Sequence, residues 1–365
     1  MSSRGQVVAA GGGVRAVYVG ILTAGTTSRM RAEWLRKLTP DWDWTWVDTD
    51  GPMRAGRRCW RTLAFRLGMG PVVDGINNLV GSWLRGGEFA LGWVDKGVFL
   101  RPTTLRELRR AARRLVHFTP DTAFHMNRSR HFNRSLEHYD LLVTTKSFEL
   151  AEYGRRVPGE RVMLTTQGYD SGVHFPRAEM AGRRREAAFV GLAEPDRERC
   201  VGELLRAGIR VRLAGRGWDR VRREWAGNPL LKFEGEELFG DAYAGLLSAC
   251  WVGLGLLSKR FPELHTTRTF EIPACGAILA TERTADTERF FEPEEAVFFE
   301  GYPALAARLK KLLDSAPEAE LAALAAAGRR RVLRDGRDYA SVLGAVLGHP
   351  RLGCLERVGM HSDLA

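Results

Sequence analysis

The chain is expected to fold as two α/β domains, each built on a parallel sheet. Three observations carry that expectation. Its 365 residues exceed what one ordinary core accommodates and suit two domains. Short apolar runs alternate with helical stretches along most of the chain, the order of strand–helix–strand units. A polar stretch containing Gly and Pro, VMLTTQGYDSGVHFPR, interrupts that alternation near the middle, and the charged AGRRREA after it reads as a linker. The expected boundaries are residues 1–13 as a loose leader, 14–178 as the first domain and 187–335 as the second. Residues 336–365 are left as a C-terminal helix and tail that could cross back to the first domain.

The elements follow in order. Ala16–Gly20 (AVYVG) is the first strand, followed by the loop ILTAGTTSR and a helix over Met30–Lys37, and Trp44–Val47 is the second strand. Residues 53–92 give no clear alternation, although RAGRRCWRTLAFRLG carries Trp60, Leu63, Phe65 and Leu67 among arginines and suits an amphipathic helix. A helix over Thr103–Arg114 leads to strands Leu115–Phe118 and Leu141–Thr144. The second half alternates more clearly. Strands are expected at Ala188–Gly191, Val211–Ala214, Val252–Leu257 and Ala277–Ala280. Helices are expected at Asp196–Ala207, Asp241–Ala249, Thr267–Cys275 and Pro303–Asp314, with an Ala/Arg-rich helical tail. This half reads as a second Rossmann-like domain.

Composition narrows the classes. Hydrophobic residues are 44% and charged residues 27%, as in soluble globular proteins. No apolar run approaches the ~20 residues that cross a bilayer. The N-terminal segment lacks the apolar core of a signal sequence, which points to the cytoplasm. The five cysteines (Cys59, Cys200, Cys250, Cys275, Cys354) form no CxxC pair and suit buried apolar roles in a reducing compartment. Of the net charge of +11, residues 1–180 carry +10 (27 Lys/Arg against 17 Asp/Glu). Such a half could meet nucleic acid, an anionic membrane or an anionic acceptor, or could simply be solvated. No nucleic-acid motif accompanies it, so no nucleic-acid partner is expected. The Arg/Trp segment 54–66 is a candidate contact for anionic lipid at the inner face of a membrane.

Two motif classes fail. A dinucleotide site wants GxGxxG directly after a strand, whereas Gly11–Gly13 precede the first one. Asp41-Trp42-Asp43 and Asp48-Thr49-Asp50 match the DxD pattern of metal-dependent sugar transferases. They flank a strand, where acidic residues are ordinary turn chemistry.

A nucleotide diphosphate needs fixed positive charge or free N–H groups, a carboxylate for its ribose hydroxyls, and glycine where backbone approaches phosphate. SKRFPELHTTRTFEIPACGAILAT offers all of these. Lys259, Arg260 and Arg268 supply cations. Thr266 and Thr267 could cap the next helix, and Glu271 lies one turn in, on the face of Thr267 and Arg268. Gly276 suits the helix end, and Pro273 makes that helix short or kinked. An ordinary turn with Arg268 paired to Glu271 on the surface fits these residues equally well. Gly191 and Arg197, and Gly215-Arg216-Gly217, follow two other strands where phosphate could approach. On the opposite half, Asp121 and His125 in HFTPDTAFHMNRS follow a strand and suit a general base, or a helix cap and a packed histidine. Asp95 in WVDKG is a weaker candidate.

TRTFEIPACGAILAT and FFEPEEAVFFEGYPALAARLKKLL resemble the C-terminal domain of CgeB-like (spore-maturation type) glycosyltransferases, which are glycosyltransferase family one-like. HYDLLVTTKSFELAEYG, LTTQGYDSGVHFP and FVGLAEPDRERCVGELLRAGIRVRLAG resemble other parts of the same proteins. The likeness covers roughly residues 90–315. It implies a GT-B fold, two Rossmann-like domains with parallel sheets facing across a cleft, and a nucleotide-diphosphate sugar held mainly by the second. It also implies that no metal or other cofactor is used. By position, Glu271 would bind the ribose. Glu263 precedes it with seven residues between, the spacing of paired glutamates in many retaining GT-B enzymes, and would stand near the sugar. Gly191 and Arg197 resemble the loop that approaches the donor. The function implied is sugar transfer to a hydroxyl of a glycan, lipid-linked or small-molecule acceptor. A catalytically inactive relative that binds nucleotide sugar or glycan as a scaffold is the alternative.

Overall fold

The computed structural model describes residues 13–177, 179 and 182–353, so the expected leader up to residue 12, the end of the tail and Cys354 lie outside the described residues. The chain divides into two units. One holds the chain up to residue 144 with 149–163 and 345 onward; the other holds 145–148 and 164–344.

In the first unit the chain runs β1 (Val14–Gly20), α1 (Thr27–Leu38), β2 (Trp42–Asp48), α2 (Asp50–Ala55), α3 (Arg58–Leu67), α4 (Pro71–Leu84) and β3 (Phe89–Asp95). It continues through α5 (Pro102–Ala111), β4 (Ala112–Thr119), α6 (Arg130–Asn133), β5 (Leu141–Thr144), α7 (Leu150–Gly154) and β6 (Val162–Leu164). The strand order is β2-β1-β3-β4-β5-β6, with parallel registers from β2 through β5. The apolar run of β1 is buried from Ala16 to Gly20, as a central parallel strand requires. Thr26 caps α1 by accepting from Arg29 N at 3.3 Å, and Pro71 opens α4, where its missing N–H costs nothing. Val17, Val94, Leu115 and Leu142 of the sheet pack on Val73, Ile76 and Leu105 of the helices. Each such side chain contributes about 1.5–3 kcal/mol by leaving water.

The second unit contains β7 (Arg184–Val190), α8 (Pro195–Arg206), β8 (Val211–Ala214), α9 (Asp219–Glu224), β9 (Leu231–Gly235), α10 (Gly240–Ala249) and β10 (Cys250–Gly255). Then come α11 (Arg268–Ala274), β11 (Ile278–Glu282), α12 (Ala285–Phe290), β12 (Val297–Phe299), α13 (Tyr302–Ser315), α14 (Glu318–Arg334) and the start of α15 (Tyr339–Leu347), whose residues from 345 on belong to the first unit. Its parallel sheet has the order β12-β11-β10-β7-β8-β9. Counted within the unit this is the doubly wound 3-2-1-4-5-6 order, reversing between β7 and β10. Alternate residues of the strands feed two cores. Phe189, Leu213 and Leu254 meet Leu204 and Leu309 on one face, and Ala188 and Leu279 meet Phe270, Ile272 and Tyr243 on the other. At Gly215 the backbone has φ +128, and a Cβ there would stand 1.9 Å from the Gly191 carbonyl oxygen. Only glycine lets the ends of β7 and β8 approach this closely.

Several expectations need correction. The helix expected to reach Arg114 ends at Ala111, and residues 112–114 already pair with β3 in β4. Strand pairing overrides the helical propensity of the arginines there. The charged stretch taken for a linker enters β7 at Arg184, so it belongs to the sheet. Strands β3, β6, β9 and β12 were not anticipated. Cys59 is exposed, whereas Cys200, Cys250 and Cys275 are buried and free. Among the described residues, no helix is long and apolar enough to cross a membrane.

Candidate functional site

Open α/β sheets bind ligands beyond the carboxyl ends of their strands, at the reversal of strand order. In the second unit that point lies beyond β7 and β10, and two arginines meet there. Arg268, the first residue of α11, donates from Nη1 to Val190 O at 3.4 Å and from Nη2 to Leu256 O at 3.3 Å. Its guanidinium lies 5.4 Å from the centroid of the Phe189 ring, and that of Arg197 lies 5.8 Å from the same ring. The negative face of an aromatic ring attracts such cations. Arg197 is only 6% exposed, donates to Leu192 O at 3.1 Å and pairs with Glu194 at 3.0 Å. Burial first, and then the charge of Arg268, push its pKa down to about 10. The Nε atoms of both arginines are buried without a hydrogen-bond partner. Unmet buried donors cost about 1–3 kcal/mol each. An anion beside the guanidiniums would relieve the repulsion between the two cations. Gly191 gives the room, since a Cβ there would come within 3.4 Å of Arg268 Nη1 and 3.0 Å of the Phe189 ring.

Ser258, just beyond β10, joins two carboxylates. Its hydroxyl donates to Glu194 Oε2 at 2.9 Å and its N–H to Glu263 Oε2 at 2.8 Å. The other Glu263 oxygen takes a bond from Lys146 Nζ at 3.2 Å. Glu263 is thus nearly buried and held at both oxygens within its own unit. His265 lies beneath this loop, its Nδ1 2.8 Å from Asp286 and its Nε2 accepting from Gln167 N at 3.3 Å. Burial holds the imidazole below its usual pKa, which keeps Nε2 an acceptor and Nδ1 the donor to Asp286.

Glu271 is buried, not on the surface, and makes no ion pair with Arg268. Tyr243 donates to its Oε2 at 2.7 Å, and His174 Nε2 stands 3.8 Å from Oε1. Burial and the Glu271 charge raise the Tyr243 pKa well above its usual value, so it remains the donor. The helix α11 has seven residues with Pro273 in its last turn, and Gly276 closes it at φ +77. Thr267 does not cap it. Its backbone is already helical and its side chain makes no cap bond, while Thr269 accepts from Thr266 N at 3.1 Å instead. Thr266 Oγ1 is buried without a partner.

The remaining expected cations stand apart. Lys259 contacts Glu282 and Arg216 contacts Glu237, all but Glu282 well exposed, and Arg260 is exposed at the loop surface. Phe189, Glu194, Ser258, Lys146 and Tyr243 were not singled out from the sequence. Glu194 alone left a trace there, three residues before Arg197 and so on the same helix face.

In the first unit, Asp121 follows β4 and pairs with Lys96 at 2.6 Å. His125 Nδ1 lies 3.0 Å from Glu149 Oε1. Glu149 is wholly buried and also accepts from Ala123 N at 2.8 Å and Phe124 N at 2.9 Å, which orients the histidine loop. Asp95 is not a base. Arg31 donates to both of its oxygens at 2.7 and 3.0 Å, and each side chain is 1% exposed. Asp48 and Asp50 serve turn chemistry, accepting from Leu22 N at 3.0 Å and from Thr23 Oγ1 at 2.5 Å.

A doubly wound sheet with one buried and one half-buried arginine on a shared ring at its reversal is a place to hold an anion, and the family comparison bears on the same segment. Residues 185–347 match a family described as glycosyl transferase-like. This glycosyl transferase-like region contains every donor-side candidate from Gly191 to Glu271, while Asp121 and His125 lie outside it. Among curated proteins, none matches the sequence. Solved structures are similar along nearly the whole chain. A glycosyltransferase from Rickettsia africae aligns at a TM-score of 0.65 with 10% identity, covering 92% of this chain and 97% of its own. Anabaena Alr3699/HepE in complex with UDP-glucose aligns at 0.62 with 12% identity, covering 94% and 99%. The α,α-trehalose-phosphate synthase (UDP-forming) from Burkholderia vietnamiensis also aligns at 0.62 with 12% identity, covering 95% and 100%. With the two six-stranded parallel sheets, these likenesses identify the fold as GT-B.

Proposed function

We propose that the protein is a glycosyltransferase that takes a sugar from a nucleotide-diphosphate donor bound by its second unit. The observation that carries this is the Arg197–Arg268 pair on the Phe189 ring, with two buried Nε donors unmatched. The diphosphate would balance the charge of the two guanidiniums as it leaves the sugar. Two fixed guanidiniums at that place do what a divalent cation does elsewhere, which supports a metal-independent reaction. Glu271, held by Tyr243, would take the ribose hydroxyls. The likeness of residues 266–281 to CgeB-like enzymes supports the same assignment. The structural neighbours solved with UDP or UDP-glucose make uridine donors the first to test.

The acceptor would be a hydroxyl on a glycan, lipid-linked or small-molecule compound. His125 is the better base of the two candidates, because Glu149 orients it, while Asp121 is neutralised by Lys96. A second reading, binding without transfer, draws on Glu263, whose two oxygens are both engaged.

Calorimetry against UDP-, GDP-, dTDP- and CDP-sugars tests the donor assignment. One of them should bind, and Glu271→Ala should abolish that binding while the melting transition remains cooperative. Unchanged affinity in the variant would remove Glu271 from the site. Release of free nucleotide diphosphate on adding acceptor extracts separates transfer from binding alone.

A further inference from the structure

The reversal of strand order in the first unit lies between β1 and β3, and a cavity of about 300 Å³ opens beside it. Its walls are mainly apolar, with Met53, Phe65, Ile76 and Phe99 among them, and Lys96 and Asp121 stand at its polar end. Lys96 holds φ +64, the only non-glycine residue with positive φ among the described residues. Strain of this kind persists where a site over-determines the backbone. Phe65 and Met53 also line an open groove of about 490 Å³ between α2 and α3, whose other walls carry Arg54, Arg58, Arg61 and Arg66. A small extension of about 80 Å³ leads from Phe65 to Arg128 and Arg130.

The charge around this connected space is one-sided. Its carboxylates are already matched: Asp50 by Arg54 at 3.2 Å, Asp95 by Arg31 at 2.7 Å and Asp121 by Lys96 at 2.6 Å. Arg58, Arg61, Arg66, Arg128 and Arg130 make no ion pair among the described residues. Residues 51–73 contain five arginines and no Asp or Glu, and the one acid of α2, Asp50, is already taken by Arg54. Phe65 is 67% exposed between the arginine groove and the apolar cavity. A solvated basic helix needs neither a shared aromatic wall nor a cavity at the strand reversal.

We propose that the first unit binds a phosphorylated acceptor, with its phosphate or diphosphate on Arg58, Arg61 and Arg66 and its body in the cavity beyond Phe65. Guanidinium forks match phosphoryl oxygens in pairs, and the ring between groove and cavity suits the join of an anionic head and a less polar body. The word acceptor rests on the glycosyl-transfer reading; the anion site does not. A free sugar phosphate and a lipid-borne phosphate share this chemistry.

The test uses the full chain carrying Arg197→Gln and Arg268→Gln, so that pyrophosphate binding in the second unit does not contribute. Inorganic pyrophosphate is titrated with and without Arg58→Gln, Arg61→Gln and Arg66→Gln together. All three side chains are exposed, so folding is not at risk. The expected result is at least a tenfold weaker dissociation constant in the charge-neutralised protein. Equal pyrophosphate affinity in both proteins would overturn the inference. A second arm compares sedimentation with phosphatidylglycerol and phosphatidylcholine vesicles. Retention on the anionic vesicles alone, lost with the three substitutions, assigns the phosphoryl group to a lipid; pyrophosphate binding without retention assigns it to a soluble acceptor. Nucleotide-sugar binding by a chain carrying only the three groove substitutions reports on the donor reading separately. Failure there, or in the Glu271→Ala experiment, is distinguishable from failure of the groove.

Discussion

Replacing Arg268 with glutamine separates an anion-binding arginine from one that only braces the fold. Arg268 has no carboxylate partner, so its removal strands no buried negative charge. Its own bonds are two long contacts to carbonyls, at 3.3 and 3.4 Å. It depresses the pKa of Arg197, which stands at about 10 against an ordinary 12.5. Keeping Arg197 charged in that place costs roughly 3 kcal/mol in all, of which burial is the larger part. Loss of Arg268 relieves the remainder. The melting temperature of the free protein should therefore hold or rise slightly. Affinity for the nucleotide diphosphate should fall, because a hydrogen bond between charged groups is worth about 1.5–3 kcal/mol, or roughly ten- to hundredfold in dissociation constant. Calorimetry for affinity and a thermal melt for stability are read on the same preparation. A melting temperature several degrees lower with unchanged affinity would refute the reasoning, since Arg268 would then be a structural brace.

Three further outcomes follow from the geometry. Asp95→Asn removes the carboxylate charge that takes two bonds from Arg31 at 1% exposure, and breaking a buried ion pair from one side should cost about 3–5 kcal/mol and lower the melting transition of the first unit. Arg31→Met with Asp95→Leu should recover much of that loss in the same melt. His117 is buried with its pKa pushed down to about 4, mainly by desolvation. The unfolded chain therefore takes up the proton first, and stability should fall by roughly 3 kcal/mol as pH drops from 6.5 to 4. In His117→Gln, denaturant titrations should show a markedly flatter dependence across that window. Gly215→Ala forces a Cβ against the Gly191 carbonyl, so a shifted β7–β8 end and weaker nucleotide binding should appear together by calorimetry.

The parts of the fold read correctly from sequence are those where local signals act alone. Val211–Ala214 (VRLA) is a short stretch, apolar but for Arg212, bounded by Arg210 and Gly215, and the strand has those same ends. Thr267–Cys275 was expected as a short helix because of Pro273 and Gly276, and α11 ends where they require. β3 was lost because it follows α4, whose Val72, Val73, Ile76 and Val80 are β-branched and interrupted by Gly75 and Gly81. Neither period is clean through that stretch. β12 has three residues, too few to show alternation. Arg197 and Glu271 are legible as candidates, Arg197 shortly after a strand and Glu271 one turn into a helix. Lys146 could not, since it reaches Glu263 from 117 residues away. Phe189 is an apolar strand residue with no distinguishing signal in the sequence, and only the structure puts its ring under both guanidiniums.

That ring has a consequence for how the charge of the site is kept. A carboxylate in its place would hold both guanidiniums more tightly, but it would cancel one of them and release it on protonation. An aromatic face attracts cations through its quadrupole, which carries no net charge and takes up no proton. The attraction is therefore the same in weak acid as at neutrality, and it leaves the positive field of Arg268 undiminished for an incoming anion. Position 189 thus acts as a pH-blind anchor, and any aliphatic residue there would keep the core filled while letting the two cations drift apart.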